Sequence, residues 1–130
     1  MSKILIIDDD ADIVEAMRLV LEKHGHKVSI AEEGNGGLSK ARSEKPDVII
    51  LDVMMPGLDV FEVARELKGD ARTRDISILM LTAIKDKMGF DFQNKASDPN
   101  WLPVDDYCDK PLDYEVLLEK IDHLLRNKKH

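Results

Sequence analysis

Short apolar runs of strand length alternate with helical patterns along the whole chain. The clearest runs are Ile4–Ile7, Val48–Leu51 and Ile76–Leu81. Such almost continuously apolar runs are typical of strands that are covered on both faces of a parallel sheet. Lys27–Ala31 is more polar and predicts an edge strand, and a fifth strand is predicted around Asp106–Cys108.

Helical patterns fill the gaps between these runs. Apolar residues recur at helical spacing in Ala11–His24 and in Asp113–Arg126, and shorter helices are predicted at about Gly36–Ser43 and Leu58–Leu67. Asp10 is a predicted N-cap and Gly25 a predicted C′ residue. The predicted inner face of the last helix consists of Val116, Leu117, Ile121, Leu124 and Leu125.

Strands that alternate with helices predict an α/β fold with right-handed crossovers. The chain has 130 residues, so we expect one domain, residues 1–130, built on a five-stranded parallel doubly wound sheet of order 2-1-3-4-5. Residues of apolar type make up 43% of the chain and charged residues 35%, which excludes a disordered chain, a collagen and a disulfide scaffold.

The charge of the chain and its cysteine content indicate which binding partners and which cellular compartment to expect. With 19 basic and 26 acidic residues the formal net charge is −7, which argues against direct binding to nucleic acid. The single cysteine, Cys108, favours a reducing compartment. No stretch approaches the roughly 18 apolar residues that cross a bilayer, so we expect a cytoplasmic protein without membrane contact.

Polar residues stand at the point where the predicted strands end. Asp8 and Asp9 follow the first strand, Asp52 the third, Thr82 the fourth and Lys110 the fifth. Parallel strands bring their carboxyl ends to one edge of the sheet, and ligands bind there at the point where the strand order reverses. In the order 2-1-3-4-5 this point lies between the first and third strands, so the three aspartates are expected to meet.

Three carboxylates in one pocket need a compensating charge. Two of them about 5 Å apart repel each other by about 3 kcal/mol at an effective dielectric constant near 20. Oxygen ligands without cysteine or histidine favour Mg²⁺, which is commonly completed by a phosphate oxygen. A carboxylate nucleophile, a metal ion, a lysine and a threonine hydroxyl together predict phosphoryl chemistry.

In four segments the sequence resembles the receiver domains of two-component response regulators. The segments are Ile4–Asp10, Leu51–Gly57, Met80–Ala83 and Asp105–Pro111. They stand in the family's order and strand context, and the resemblance covers essentially the whole chain. It implies a flavodoxin-like receiver fold and a signalling phosphoacceptor, in place of an enzyme that acts on other substrates.

The resemblance also assigns the phosphorylation site. It implies that Asp52 accepts a phosphoryl group from a sensor histidine kinase or a His-containing phosphotransfer protein. Mg²⁺ would be bound by Asp8, Asp9 and Asp52 together with the backbone carbonyl of Met54. Lys110 would pair with the phosphoryl group.

Switch residues follow from the same resemblance. Thr82 and Tyr107 would change position on phosphorylation and so remodel a surface that binds a downstream protein target. The Lys110–Pro111 bond would be a cis peptide.

Two features depart from the family pattern. Val60 stands where the family often has glycine, and residues 83–109 form a segment longer than usual, with Gly89, Pro99 and Pro103. These residues oppose one long helix, so the fourth helix of the family fold is expected to be irregular, shortened or displaced. No output domain follows residue 130, which favours a stand-alone receiver, although a fragment of a longer regulator fits as well.

Three other functions remain open from the residues alone. Asp8 and Asp10 mimic the nucleophile and general acid of a haloacid-dehalogenase-like phosphatase. The topology would also suit a flavodoxin-like flavin carrier, although the acidic first loop is unfavourable for a flavin phosphate. The last alternative is a scaffold receiver that works without phosphorylation.

Overall fold

The computed structural model describes residues 2–53, 60–82, 104–110 and 112–126. Its described elements are β1 Lys3–Ile7, α1 Ala11–Lys23, β2 Lys27–Ala31, α2 Gly34–Glu44, β3 Val48–Asp52, α3 Val60–Gly69, β4 Ser77–Thr82, β5 Asp106–Asp109 and the C-terminal helix α4 Tyr114–Arg126. The five strands are all parallel and lie in the order β2-β1-β3-β4-β5, which confirms the predicted sheet. The predicted irregular helix between β4 and β5 lies outside the described residues.

Helices cover the sheet on both faces. Helices α1 and α4 pack on one face, against alternate residues of the central strands, and α2 and α3 pack on the other. All five residues of β3 are buried, because this strand lies in the middle of the sheet between the two layers of helices. The first face is built mainly from Ile4, Ile6, Val14, Met17, Ile50, Leu79 and Leu117, and the second from Leu5, Ile7, Leu38, Ile49, Leu51, Leu67 and Met80.

Strand register aligns the ends that carry the predicted site. Ile7 pairs with Leu51, so Asp8 and Asp52 each follow a paired residue of neighbouring strands. On the other side of β3, Asp52 pairs with Leu81, and β4 ends at Thr82. The parallel register therefore brings these side chains to one edge of the sheet, as expected.

The limits of α1 have local causes that the sequence predicted. The Asp10 carboxylate accepts hydrogen bonds from the backbone N–H groups of Asp12 and Ile13, at 3.1 and 3.3 Å, and so caps the free donors of the first turn. Gly25 follows the helix with φ at +88°, a left-handed conformation that glycine adopts without steric cost.

Two details of the helices differ from the predictions. Helix α2 begins at Gly34, two residues before the predicted start, and its Gly37 lies against β1. A Cβ atom at Gly37 would lie 2.5 Å from Ile7 Cδ1, so glycine allows this close approach of helix to strand. On α4, Val116 is 37% exposed and does not belong to the inner face, whereas Leu117, Ile121 and Leu124 are buried as predicted.

The lengths of the helices and the burial of Cys108 bear on the predictions about membrane contact and about the cysteine. None of the helices in the described ranges is both long enough and apolar enough to pass through a bilayer. Cys108 is a buried free thiol, and its burial raises the pKa of the thiol above the ordinary value, so the thiol is held in its protonated form.

Candidate functional site

Asp52 lies at the carboxyl end of β3 and forms a nearly buried ion pair with Lys110. The Lys110 Nζ atom lies 2.8 Å from Asp52 Oδ1, and only 3% of the Asp52 side chain and 19% of the Lys110 side chain are exposed. The backbone N–H of Lys110 donates to the carbonyl oxygen of Thr82 at 3.0 Å, so the lysine is held at the end of β4 by its main chain. This ion pair joins residues 58 positions apart in the sequence.

Asp8 is the second buried carboxylate, directly after β1. Its Oδ1 atom accepts a hydrogen bond from the backbone N–H of Asp10 at 2.9 Å. Within the described part of the chain no donor reaches its Oδ2 atom, although that atom is buried. The pKa of Asp8 is raised to about 6, mainly by burial and also by the nearby Asp52 carboxylate, while the Asp10 N–H and Lys110 lower it in part.

Asp9 completes a cluster that fits a hard cation. It is exposed, and one carboxylate oxygen from each of Asp8, Asp9 and Asp52 lies within 4.8 Å of the others. Among the described residues no donor reaches the buried Oδ2 of Asp8, and all three groups offer oxygen atoms, which are the ligands that Mg²⁺ prefers. The residues present therefore fit a magnesium ion at this edge of the sheet.

Thr82 and Tyr107 lie on the two strands beyond Asp52. Thr82 is the last residue of β4 and is fully buried. Its neighbour Leu81 pairs with Asp52, and its own carbonyl oxygen accepts a hydrogen bond from the backbone N–H of Lys110. Tyr107 is the second residue of β5, is half-buried and packs on the face covered by α2 and α3. Thr82 therefore lies beside the main chain of Lys110, and Tyr107 lies on the strand that leads to Lys110. Their roles as switch residues stay predictions.

Lys120 of α4 is a residue that the sequence reasoning missed. Its Nζ atom lies 3.2 Å from Asp106 Oδ1 and 5.5 Å from the centre of the Tyr107 ring. It stands outside all four family-like segments, on a different element from Tyr107. Lys120 lies four residues after Val116, so the sequence shows that the two residues share one face of α4. The sequence does not show that this face lies next to β5.

Two predicted site features lie outside the described residues. These are the backbone carbonyl of Met54 as a metal ligand and the Lys110–Pro111 cis peptide. Both stay predictions.

The role of Asp10 argues against the phosphatase alternative. Its carboxylate is exposed and caps α1, so it is engaged by backbone donors of the helix. A general acid would have to face the buried carboxylates of Asp8 and Asp52. The phosphatase interpretation also leaves the ion pair between Asp52 and Lys110 unexplained.

Comparison with known proteins agrees with this geometry. A family model for the response regulator receiver domain matches residues 4–122. The chain therefore belongs to the response regulator receiver family, and it is a receiver domain of a two-component signalling system. This membership also decides against the flavin carrier and the phosphatase.

Relatives of known name place the chain within that family. It is 38% identical over 128 residues to the protein PilH of Pseudomonas aeruginosa, with 96% of this chain and 98% of PilH covered. It is 42% identical over 130 residues to the DNA-binding dual master transcriptional regulator RpaA of Synechocystis sp., with 97% of this chain covered. The match spans only 50% of RpaA, so this chain corresponds to about half of that regulator.

Solved structures show the same fold. The chemotaxis response regulator CheY4 of Vibrio cholerae superimposes with a TM-score of 0.79 at 28% identity, with 96% of this chain and 99% of CheY4 covered. A CheY-like receiver domain protein from Methanospirillum hungatei JF-1 gives a TM-score of 0.83 at 26% identity, with 98% and 96% covered. The flavodoxin-like receiver fold predicted from the sequence is thereby confirmed.

Proposed function

We propose that Asp52 is the phosphoacceptor of this receiver domain, with Asp8, Asp9 and Asp52 as ligands of Mg²⁺. One observation carries the proposal: Asp52 is a buried carboxylate that contacts a lysine at 2.8 Å and belongs to a cluster of three carboxylates. Asp8 is less suited to the role of nucleophile, because the ion pair with Lys110 is made by Asp52.

The proposed donor is a phosphohistidine of a sensor kinase or of a phosphotransfer protein. A carboxylate oxygen of Asp52 attacks the phosphorus, an O–P bond forms and the N–P bond to the histidine breaks. The electron pair of the broken bond stays on the histidine nitrogen. Asp52 becomes an acyl phosphate.

Charge at the phosphoryl oxygens is balanced by groups in the site. Lys110 is positioned to transfer its ion pair from the carboxylate of Asp52 to the incoming phosphoryl group. A bound Mg²⁺ supplies further positive charge to the phosphoryl oxygens and offsets the repulsion among the aspartates. Hydrolysis reverses the modification: water attacks phosphorus, the O–P bond breaks, and inorganic phosphate leaves while Asp52 regains its carboxylate.

Thr82 and Tyr107 are the proposed switch residues. Thr82 ends the strand beside Asp52, and a hydroxyl there can donate a hydrogen bond to a new phosphoryl oxygen. Tyr107 is half-buried on the neighbouring strand β5, so part of its ring is in contact with solvent. The proposed readout is a changed surface around β5 and α4 for a downstream protein target.

Intact mass measurement after treatment with acetyl phosphate and Mg²⁺ tests the assignment. We expect one phosphoryl group per chain in the parent protein and none in Asp52→Asn, because an amide is not a nucleophile for this transfer. Omission of Mg²⁺ or addition of a chelator should reduce the modification strongly.

Asp10→Asn is the matched control, since asparagine is as good an N-cap as aspartate. We expect this variant to be phosphorylated like the parent. Equal modification of Asp52→Asn and the parent would refute the proposal. An unmodified parent protein in the presence of Mg²⁺ and donor would favour the scaffold receiver instead.

A further inference from the structure

Asp106 and Tyr107 of β5 and Lys120 of α4 each contact the other two. The Asp106 carboxylate oxygen Oδ1 accepts a hydrogen bond from the backbone N–H of Tyr107 at 2.8 Å and pairs with Lys120 Nζ at 3.2 Å. The same ammonium lies 5.5 Å from the centre of the Tyr107 ring. This distance is within the range in which a cation is attracted to the face of an aromatic ring.

Lys120 reaches Tyr107 past β5, the outermost strand of the sheet. Tyr107 packs on the face covered by α2 and α3, whereas the neighbouring Cys108 packs on the face of α1 and α4. Lys120 belongs to α4, on the opposite face from the Tyr107 ring. The contact is possible because β5 is the outermost strand of the sheet, so a long side chain can pass its outer edge.

The exposure of Lys120 and Asp106 indicates that the contact of Lys120 with the Tyr107 ring is of moderate strength. The side chains of Lys120 and Asp106 are 29% and 27% exposed, so both are partly desolvated but still reach water. A cation–π contact of this exposure changes a conformational equilibrium by about two- to five-fold. An effect of this size can bias a side chain between two positions without preventing its movement.

We infer that Lys120 is a positioning residue for Tyr107: its ammonium, anchored on Asp106, holds the ring in its unphosphorylated position. The inference rests on the proposed function in so far as Tyr107 is the switch. Lys120 touches neither Asp52 nor the phosphoryl group in this scheme, so it acts through Tyr107. It also links α4 directly to the ring, and through it to the surface proposed to bind a downstream target.

The test uses the full chain labelled with 3-fluorotyrosine. The chain has two tyrosines, Tyr107 and Tyr114, so two ¹⁹F NMR signals are expected. The variant Tyr114→Phe identifies which signal belongs to Tyr107. The relaxation caused by a dissolved nitroxide reports how exposed each ring is and is insensitive to the nearby charge itself. It is measured without ligand and with Mg²⁺ and beryllofluoride, which mimics the phosphoryl group.

The compared variants are Lys120→Met, which keeps the length but loses the charge, and Lys120→Arg, which keeps both charge and ring contact. Without beryllofluoride, we expect the relaxation at Tyr107 in Lys120→Met to move from the parent value toward the value of the beryllofluoride-bound parent. Lys120→Arg should stay near the parent, and the same substitution at an exposed lysine, Lys23→Met, should change nothing. The signal of Tyr114 should be constant throughout.

Unchanged relaxation at Tyr107 in Lys120→Met, or an equal change in Lys120→Arg, would overturn the inference. Failure of the proposed function is a separate result: the parent would then bind no beryllofluoride and accept no phosphoryl group. In that case the difference between the methionine and arginine variants still decides whether Lys120 holds the ring.

Discussion

At the scale of a single residue, the carboxyl group of Asp8 is in an unfavourable position when it is ionised without a cation. It is 1% exposed, lies close to the Asp52 carboxylate, and has an oxygen that no donor reaches within the described part of the chain. These conditions raise the pKa of Asp8 from 3.8 to about 6. A bound Mg²⁺ would remove the cause, since it favours the ionised form.

The raised pKa of Asp8 predicts how stability depends on pH in the metal-free protein. Between pH 4 and 6 the folded state keeps the Asp8 proton that the unfolded state releases, so the free energy of unfolding falls as pH rises through this window. The loss amounts to up to ~3 kcal/mol and levels off about one pH unit above the folded pKa of about 6. Urea unfolding in a chelator, followed by circular dichroism at several pH values, measures it.

Asp8→Asn is the control for this prediction, because it keeps the shape of the side chain without an ionisable group. We expect the variant to lose this part of the pH dependence, so that the difference in unfolding free energy between the two proteins changes across the window. Parallel curves for parent and variant would contradict the assignment of the raised pKa to Asp8.

At the scale of an element, helix α2 contains two neighbouring glycines with opposite roles. A Cβ atom at Gly37 would lie 2.5 Å from Ile7 Cδ1 and 2.8 Å from Ile7 Cγ1, whereas a Cβ atom at Gly36 would meet nothing within 4 Å. The first glycine therefore allows close packing of the helix on β1. The second only weakens the helix, since glycine has a low helix propensity.

This contrast predicts opposite signs for one substitution at adjacent positions. Gly37→Ala should lower the free energy of unfolding by about 1–3 kcal/mol, because Ile7 has to move inside a packed core. Gly36→Ala should raise it by about 0.5–1 kcal/mol, because alanine favours the helix. Chemical denaturation of the two variants measures both values. A stabilising effect of Gly37→Ala would show that the Ile7 side chain moves aside at little cost in free energy.

At the scale of the whole molecule, a cation at the aspartate cluster should stabilise the fold. The three carboxylates are clustered only in the folded state, so a divalent ion should bind the folded state preferentially, and the net charge of −7 adds to the attraction for a cation. Free Mg²⁺ at about 100 times its dissociation constant should add about 2.7 kcal/mol to the free energy of unfolding. Differential scanning calorimetry should therefore show a rise in Tm with MgCl₂.

Sodium chloride at the same ionic strength separates specific binding from screening, and Asp9→Asn provides the matched variant. Asp9 is exposed, so its substitution should leave the metal-free Tm almost unchanged while it reduces the gain from Mg²⁺. An equal gain in Tm for Asp9→Asn and the parent would exclude Asp9 as a ligand.

Much of this molecule could be predicted from the order of its apolar runs. The range of β2, Lys27–Ala31, matches the prediction residue by residue, and the parallel sheet brings Asp8 and Asp52 together because parallel strands end at one edge. Periodicity could not show contacts between distant elements. The need for Gly37 depends on Ile7, and the contact between Lys120 and Tyr107 depends on the position of β5 at the edge of the sheet.

The Asp52–Lys110 pair has a consequence for synthesis of the protein in the cell. A nascent chain emerging from the ribosome presents Asp8, Asp9 and Asp52 well before Lys110, since 58 residues separate the two partners of the pair. Until β5 has docked on β4, the acidic cluster lacks its built-in counter-ion. The complete cluster, three carboxylates with their lysine, is therefore assembled only after the last strand of the sheet has joined it.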